Sequence, residues 1–380
     1  MAELVVKSNG HSYLQIGSAR DSGDLRGSSL PSISEQKPLT MKRLKFDNLG
    51  LYGRGDERSD LKRCIARLVK GETSTEAVFI DGNSGTGKTA LALSMKEEVK
   101  RVGGALVVGN HDFALREEPY SAVAAACQEL CKEVKQSLDT TQFDRLQQEM
   151  FQDFDALDLS LLHDIIPATN EIAPVLDDIE TVYMENVKSE DKKARLLLAF
   201  KKFIRIMSSI FCPLVIVLDD LQWADSSSLE LLKTISLAQE NKNLMIIGTY
   251  RSNEVFSSHG LAKLLAEMRN QADEKHLMMS EVPLGNLPIR EVNQYIMDLL
   301  SLQNVSESMP LAQLCFKRTF GNPFFVKTFL SMLNEVSLMD YNNGEWGWDM
   351  EAIERVSTVT KNVSDFLKDR IKRSCKGDIV

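Results

Sequence analysis

The sequence contains no uninterrupted apolar run of about 18 residues, the length that usually spans a membrane as a helix. Its N-terminus also lacks the apolar segment that forms the core of a secretory signal peptide. We therefore expect a soluble protein located in the cytoplasm, without a membrane partner.

The sequence has few cysteines, and its basic residues are outnumbered by its acidic residues. Six cysteines are scattered over 380 residues, and the closest pair, Cys127 and Cys131, has neither a second pair nor histidines nearby. Reduced thiols in a protein core are therefore expected, and a zinc site is not. The 54 acidic residues outnumber the 45 lysines and arginines, which gives a net charge of -9. We therefore do not expect nucleic acid as the main partner.

Composition and periodicity divide the chain into four parts. The first residues are rich in serine and glycine and poor in aromatic residues, which predicts a disordered arm. Beyond Pro288, apolar residues recur at helical spacing. We therefore expect the arm over residues 1–47, an α/β core over residues 48–286, a helical subdomain over residues 287–373 and a short tail over residues 374–380.

A glycine-rich loop follows the apolar run 77–80 and precedes a helical pattern. It fits the phosphate-binding pattern G-x-x-x-x-G-K-[ST], in which glycines let backbone N–H groups curve around a polyphosphate. Lys88 would contact the β- and γ-phosphates, and the Thr89 hydroxyl would ligate Mg²⁺. The predicted nucleotide-binding residues of this loop are Gly82, Asn83, Ser84, Gly85, Thr86, Gly87, Lys88, Thr89 and Ala90.

A second apolar run, 214–218, has the form of a strand that is buried on both faces and ends in Asp219 and Asp220. Ligands bind at this edge of open α/β sheets, so Asp219 is predicted to hold Mg²⁺ through its water shell. Asp220 would either polarise an attacking water or orient Asp219, and both roles stay open. Asp225 is expected to cap the next helix.

A third apolar strand, 244–250, is followed by Arg251. Next to the acidic strand, this arginine would contact the γ-phosphate as a sensor, although an arginine at a strand end can also be a plain surface charge. Lys88, Asp219, Asp220 and Arg251 are thus the candidate catalytic residues. Segments 105–108 and 277–284 predict two further strands.

Three other segments carry local signals. Asn343-Gly344 predicts a tight turn within a hairpin over residues 341–348, with Trp346 and Trp348 on one face. Residues 363–371 form an amphipathic helical pattern. Lys201, Lys202 and Arg205 are expected to form a solvated helix face.

Five segments resemble, in order and character, a signalling AAA-type ATPase domain of the STAND class. They are Leu51-Tyr52-Gly53-Arg54, the glycine-rich loop, residues 218–225, Gly248-Thr249-Tyr250-Arg251 and Gly321-Asn322-Pro323-Phe324-Phe325. The resemblance covers residues 50 to 370, and the third and fifth segments are its most specific parts. It implies a P-loop NTPase core with a five-stranded parallel sheet, followed by a helical lid.

The resemblance also implies roles for single residues and for the whole chain. Pro323 would contact the nucleotide from the lid, Arg54 would lie near the adenine, and Arg251 would act as the sensor. ADP would hold a closed form, ATP would open it, and an output region in a longer chain or a partner would respond.

We therefore expect a slowly hydrolysing signalling ATPase that binds ATP or ADP with Mg²⁺ and switches conformation or assembly, with a protein partner or self-association. Two alternatives share the core: an initiator-like ATPase that acts on DNA, and a nucleotide-binding scaffold without hydrolysis. A basic face and a winged helix would favour the DNA-associated reading.

Overall fold

The computed structural model describes residues 44–46, 49–115, 118–175, 189–272, 277–342 and 344–359. Most of the expected arm, the amphipathic segment 363–371 and the tail 374–380 lie outside these residues. Leu44 and Phe46, which the sequence assigned to the arm, pack against the helices that follow the sheet. Within the described ranges, no helix is long and apolar enough to cross a membrane.

Five parallel strands form one sheet in the order β2-β3-β4-β1-β5. They are β1 Thr75–Asp81, β2 Ala105–Asn110, β3 Leu214–Asp219, β4 Leu244–Tyr250 and β5 Leu277–Pro283. The three central strands are buried along nearly all of their length, which is why they are continuous apolar runs. The edge strand β5 is partly exposed. The predicted α/β P-loop fold with a five-stranded parallel sheet is confirmed.

Helices cover both faces of the sheet, because successive residues of a strand point to opposite sides. Val78 and Ile80 of β1 pack with the first three helices, whereas Ala77 and Phe79 pack with helices on the other face. The core helices are α1 Gly55–Val69, α2 Lys88–Leu93, α3 Lys96–Arg101, α4 Ser121–Ser137, α5 Thr140–Asp153, α6 Ala156–Ile165, α7 Ser189–Ile210, α8 Ser226–Ser236 and α9 Gly260–Gln271. The core therefore has three layers.

Three basic residues of α7, Lys201, Lys202 and Arg205, do not form the solvated face that the sequence predicts. Lys201 pairs with Glu240, and the ammonium of Lys202 lies 2.9 Å from the buried carboxylate of Asp158. Arg205 likewise pairs with carboxylates of α5. The three cations are only partly exposed because they fix the packing of α7 against neighbouring elements.

The residues after β5 form a second hydrophobic cluster of their own. It contains α10 Ile289–Leu300, α11 Val305–Thr319, α12 Pro323–Glu335, α13 Met350–Val359 and a hairpin of β6 Met339–Asn342 with β7 Glu345–Trp348. Asn342 pairs with Glu345 across the hairpin. Asn343 of the predicted tight turn lies outside the described residues. Trp346 is buried against the cluster, and Trp348 packs on the same side.

Candidate functional site

The glycine-rich loop, residues 82–89, connects β1 to α2. Gly85 and Gly87 have φ angles of 79° and 95°, a left-handed conformation that a Cβ atom disfavours. The hydroxyl of Thr86 donates a hydrogen bond to the carbonyl oxygen of Asn83, 2.9 Å away, which holds the loop in its curved form.

Lys88 begins α2 and points back into the loop. Its ammonium lies 3.0 Å from the carbonyl oxygen of Gly82 and 2.9 Å from that of Asn83. The residue is only 7% exposed. Burial lowers the pKa of Lys88 below its usual value, and the nearby carboxylates of Asp220 and Asp219 oppose this shift. The loop carbonyls thus hold the cation where the sequence predicts the phosphates.

Thr89 meets Asp219 at the start of α2. The threonine hydroxyl lies 2.7 Å and 2.9 Å from the two carboxylate oxygens and donates a hydrogen bond to this carboxylate. The buried hydroxyl of Thr249, near the end of β4, donates to the same carboxylate. The hydroxyls of Thr89 and Thr249 therefore both contact the carboxylate of Asp219 at the end of β3.

The donor set at this point fits Mg²⁺. A hydroxyl and a carboxylate are hard oxygen ligands, and Mg²⁺ keeps several waters and substrate phosphates besides one or two carboxylates. No group of three or more His, Cys, Asp and Glu side chains able to hold a metal ion occurs within the described ranges. That Thr89 and Asp219 hold the ion, with phosphates and water completing its shell, stays a prediction.

Asp220 directly follows Asp219, and its backbone has a left-handed conformation with a φ angle of 55°. One of its carboxylate oxygens lies 3.4 Å from Nε of Arg251, and the side-chain amide of Gln222 donates to the same oxygen at 2.8 Å. A terminal nitrogen of Arg251 lies 2.9 Å from a carboxylate oxygen of Glu254. The two candidate residues Asp220 and Arg251 are thus paired with each other.

The helices after the sheet directly contact the glycine-rich loop, which we also call the phosphate loop. Nδ2 of Asn322 donates to the carbonyl oxygen of Ser84 at 2.9 Å, and the backbone N–H of Phe324 donates to that of Gly85 at 3.2 Å. Oδ1 of Asn322 also accepts from the N–H of Phe325 and caps α12. Pro323, the first residue of this helix, therefore lies beside the loop.

Arg54 lies on the other side of the loop and is 6% exposed. Its guanidinium donates to the carbonyl oxygens of Thr86 and Gly285. Burial lowers the pKa of Arg54 below its usual value, and the carboxylate of Glu57 opposes the shift. The observed contacts hold the loop to the segment after β5. A position of Arg54 near the adenine stays a prediction.

A cavity of about 540 Å³ collects many of the predicted residues. Those that line it are Ser84, Gly85, Gly87, Lys88, Thr89, Ala90, Asp220, Arg251 and Pro323. The predicted residues that are not among the lining residues are Gly82, Asn83, Thr86, Arg54 and Asp219. The rest of the wall is largely apolar or aromatic and comprises Phe46, Leu49, Gly50, Tyr295, Phe324 and Lys327.

Sequence reasoning missed two residues next to this site, Asn322 and His111. Asn322 lies within the segment Gly321-Asn322-Pro323-Phe324-Phe325, but the sequence assigns it no role. Its hydrogen bond to the glycine-rich loop at Ser84 is visible only in the structure. His111 follows β2, and its backbone N–H donates to the carbonyl oxygen of Asp219. Burial lowers the pKa of His111. No sequence motif marks this histidine, because its position depends on the pairing of β2 with β3.

Asp225 has the capping role that the sequence predicts. It precedes α8, and one carboxylate oxygen accepts from the backbone N–H groups of Ser227 at 2.8 Å and Ser228 at 3.0 Å. The carboxylate of Asp225 is therefore the N-cap of α8.

Comparison with known protein families gives a match over residues 50–247 to the family described as AAA ATPase domain. The matched region contains the glycine-rich loop and both candidate aspartates, and it ends within β4.

Comparison with individual proteins gives matches to a curated relative and to solved structures. The chain is similar to hybrid signal transduction histidine kinase G of Dictyostelium discoideum, with 24% identity over 85% of this chain but only 11% of the relative's length. It is also similar to the Orc1 protein of Aeropyrum pernix in complex with DNA, with 15% identity, a TM-score of 0.41 and coverage of 76% and 60% of the two chains. A Walker-type ATPase of Pyrococcus abyssi has 15% identity, a TM-score of 0.37 and coverage of 88% and 79%.

Proposed function

The chain belongs to the AAA ATPase domain family, and on this premise we propose that it binds ATP with Mg²⁺, hydrolyses it slowly and acts as a nucleotide-dependent switch of the STAND class. Nucleotide binding is what the family implies. We further propose that residues 48–286 act as the ATPase core and residues 287–373 as its lid.

The contact between Thr89 and Asp219 is the observation that carries this proposal. A hydroxyl from the phosphate loop and a carboxylate from the end of β3 lie within 2.9 Å of each other, as one Mg²⁺ ion with a triphosphate requires. Lys88, Asp220 and Arg251 line the cavity beside them. The ion would neutralise the charge that develops on the phosphate oxygens.

The residues of this chain would divide the reaction between them. Lys88 would donate hydrogen bonds to the β- and γ-phosphates and exchange them for its bonds to the loop carbonyls. Arg251 would bind the γ-phosphate and stabilise its negative charge. A water oxygen would attack the γ-phosphorus, the bond to the ADP oxygen would break, and Asp220 would accept the proton of the water or orient Asp219.

The contacts between the phosphate loop and α12 support a switch. Asn322 and Phe324 donate to the carbonyl oxygens of two loop residues, so a change in the loop on nucleotide binding alters the contacts of α12. A nucleotide shifts a two-state balance only when it contacts the two states differently. A loop that binds both the phosphates and α12 meets this condition. We propose that a protein partner or self-association reads the change.

Equilibrium binding of labelled ATP and release of phosphate test the proposal. Wild type is expected to bind ATP with Mg²⁺, and Lys88→Ala is expected to weaken binding by about tenfold or more, because a charge-assisted hydrogen bond is lost. Lys263→Ala, an exposed lysine of α9, is the control and should bind as wild type does. Absence of ATP binding by wild type, or unchanged binding by Lys88→Ala, would rule the proposal out.

The two finer parts have their own readouts. A rate of phosphate release by wild type that equals the rate without protein, and the same rate in Asp220→Asn, would leave only a binding scaffold. Solution mass with ADP, with a non-hydrolysable ATP analogue and without nucleotide tests the assembly switch. Equal masses in all three conditions would argue against an assembly switch.

A further inference from the structure

Gln222 and Trp223, two and three positions after Asp220, contact both partners of the Asp220–Arg251 pair. Asp220 leads into the short 3₁₀ turn Leu221–Trp223, which directs Gln222 and Trp223 toward the end of β4. Neither residue belongs to the sites assigned above, and both touch Arg251.

Gln222 bridges β3 and β4 with the two ends of its amide. Its Nε2 donates to a carboxylate oxygen of Asp220 at 2.8 Å, and its Oε1 accepts from the backbone N–H of Arg251 at 3.0 Å. The residue is 6% exposed. A buried amide with both ends bonded has one orientation, because rotating it by 180° would oppose donor to donor and acceptor to acceptor. Gln222 therefore fixes the carboxylate of Asp220 relative to the backbone of Arg251.

Trp223 holds the side chain of Arg251. The centre of the guanidinium lies 4.5 Å from the centroid of the indole ring, which is a cation–π contact. Phe113, after β2, packs edge-on against the same indole with the ring centroids 6.2 Å apart. The guanidinium of Arg251 is thus stacked on Trp223 while it pairs with Asp220 and Glu254.

We propose that Gln222 and Trp223 are positioning residues of the ATPase site, which keep Arg251 paired with Asp220 until a γ-phosphate draws the guanidinium away. This inference rests on the proposed ATPase function. ADP lacks the γ-phosphate, so it leaves the pair intact. After Arg251 leaves, the amide of Gln222 still orients Asp220.

Tryptophan fluorescence tests the movement of Arg251, because its guanidinium stacks on Trp223. We expect the emission of wild type to change with Mg²⁺ and a non-hydrolysable ATP analogue, and not with ADP at a concentration that occupies the site equally. Occupancy is measured separately by equilibrium dialysis of labelled nucleotide. Trp223→Phe removes the reporting indole but leaves Trp346 and Trp348, so it should lose the difference. Equal emission of wild type with both bound nucleotides would overturn the proposal.

Steady-state kinetics test the role of Gln222. Gln222→Met keeps the length of the side chain but removes both polar ends. We expect a kcat about tenfold lower than that of wild type, with the KM for ATP and the Kd for ADP within about twofold, because a positioning contact acts mainly on the transition state. Gln222→Glu keeps the acceptor for the N–H of Arg251 but puts a carboxylate beside Asp220, and it should lower kcat as well.

Gln294 provides a matched control. Its Nε2 donates to Asp298 at 2.9 Å on the exposed side of α10, so Gln294→Met removes the same kind of hydrogen bond elsewhere. Its kcat should equal that of wild type. An unchanged kcat in Gln222→Met, or a parallel loss of ADP affinity and melting temperature, would overturn the positioning role. If wild type failed to bind ATP, the proposed function itself would fall. If wild type hydrolysed ATP while both tests above failed, only this inference would fall.

Discussion

The hydroxyl of Thr89 and the carboxylate of Asp219 are separated by 130 positions along the chain, yet they lie in direct hydrogen-bond contact. Thr89 is held by the glycine-rich loop at the start of α2, and Asp219 is the last residue of β3. The hydroxyl expected to ligate Mg²⁺ and the carboxylate expected to hold its water shell are therefore adjacent, at the edge of the sheet that binds ligands in α/β proteins.

We expect Asp219→Ala to remove the effect of Mg²⁺ on ATP affinity, because the ion loses its carboxylate. Affinity measured with Mg²⁺ and with a chelator should then be nearly equal, whereas wild type should bind more tightly with Mg²⁺. Asp225→Ala is the control: it removes the cap of α8, should lower the free energy of unfolding by about 1 kcal/mol and should keep the Mg²⁺ effect. A full Mg²⁺ effect in Asp219→Ala would contradict the assignment.

Asn322→Asp separates the two contacts of this residue. The carboxylate can still accept from the N–H of Phe325 and cap α12, but it cannot donate to the carbonyl oxygen of Ser84. We expect the free energy of unfolding to fall by about 1 kcal/mol, as the loss of one hydrogen bond implies. Nucleotide affinity should fall as well, by up to about fivefold, because the loop loses a contact that holds its curved form.

Asn304→Asp is its matched control, measured by the same nucleotide titration. Asn304 caps α11 through the N–H of Ser306, and no hydrogen bond joins it to the phosphate loop in the part of the chain that the structure describes. Its nucleotide affinity should be that of wild type. Equal affinities in the two variants would show that the tie between Asn322 and Ser84 does not matter for binding.

Gly85→Ala should destabilise the protein more than Gly103→Ala. Both glycines have positive φ, 79° and 83°, so each alanine costs about 1 kcal/mol in backbone strain. A Cβ at position 85 would also lie 2.7 Å from Oδ1 of Asn322, whereas a Cβ at position 103 has no atom within 4 Å. Denaturant unfolding measures the difference, which we expect to be about 1 kcal/mol or more, from the added crowding. Equal losses would mean that α12 yields at no cost.

Four of the described thiols should be unreactive in the folded protein. Burial raises the pKa of Cys64 to about 11 and those of Cys131 and Cys315 to about 12, and it also raises the pKa of Cys127. Since the thiolate is the reacting form, these residues should hardly react with a thiol reagent at pH 8.

The partly exposed Cys212 should react first. Cys375 lies outside the described residues, so the measurement uses a Cys375→Ser variant. After unfolding in guanidinium chloride, all five remaining thiols should react. A second thiol that reacts at the rate of Cys212 in the folded state would disagree with the observed burial.

The sequence alone determined the loop, the strands and the acidic strand end. Each of these is a local pattern: glycines with a lysine and a threonine between a strand and a helix, or an apolar run followed by two aspartates. Apolar periodicity and glycine spacing indicate the local backbone conformation and the buried face of a segment, so the fold class could be predicted. The resemblance of five segments to a STAND-class ATPase domain added the expectation that a helical lid follows the core.

Only the tertiary structure decided which of these residues touch. The sheet order puts β4 between β1 and β3, so that Thr249 and Arg251 reach Asp219 and Asp220. The contact of Asn322 with Ser84 joins residues 238 positions apart. No sequence period encodes such contacts, because strand pairing and helix packing bring together segments whose separation along the chain carries no local signal. For the same reason the amide of Gln222, which has no signature of its own, became visible as a bridge only in the folded chain.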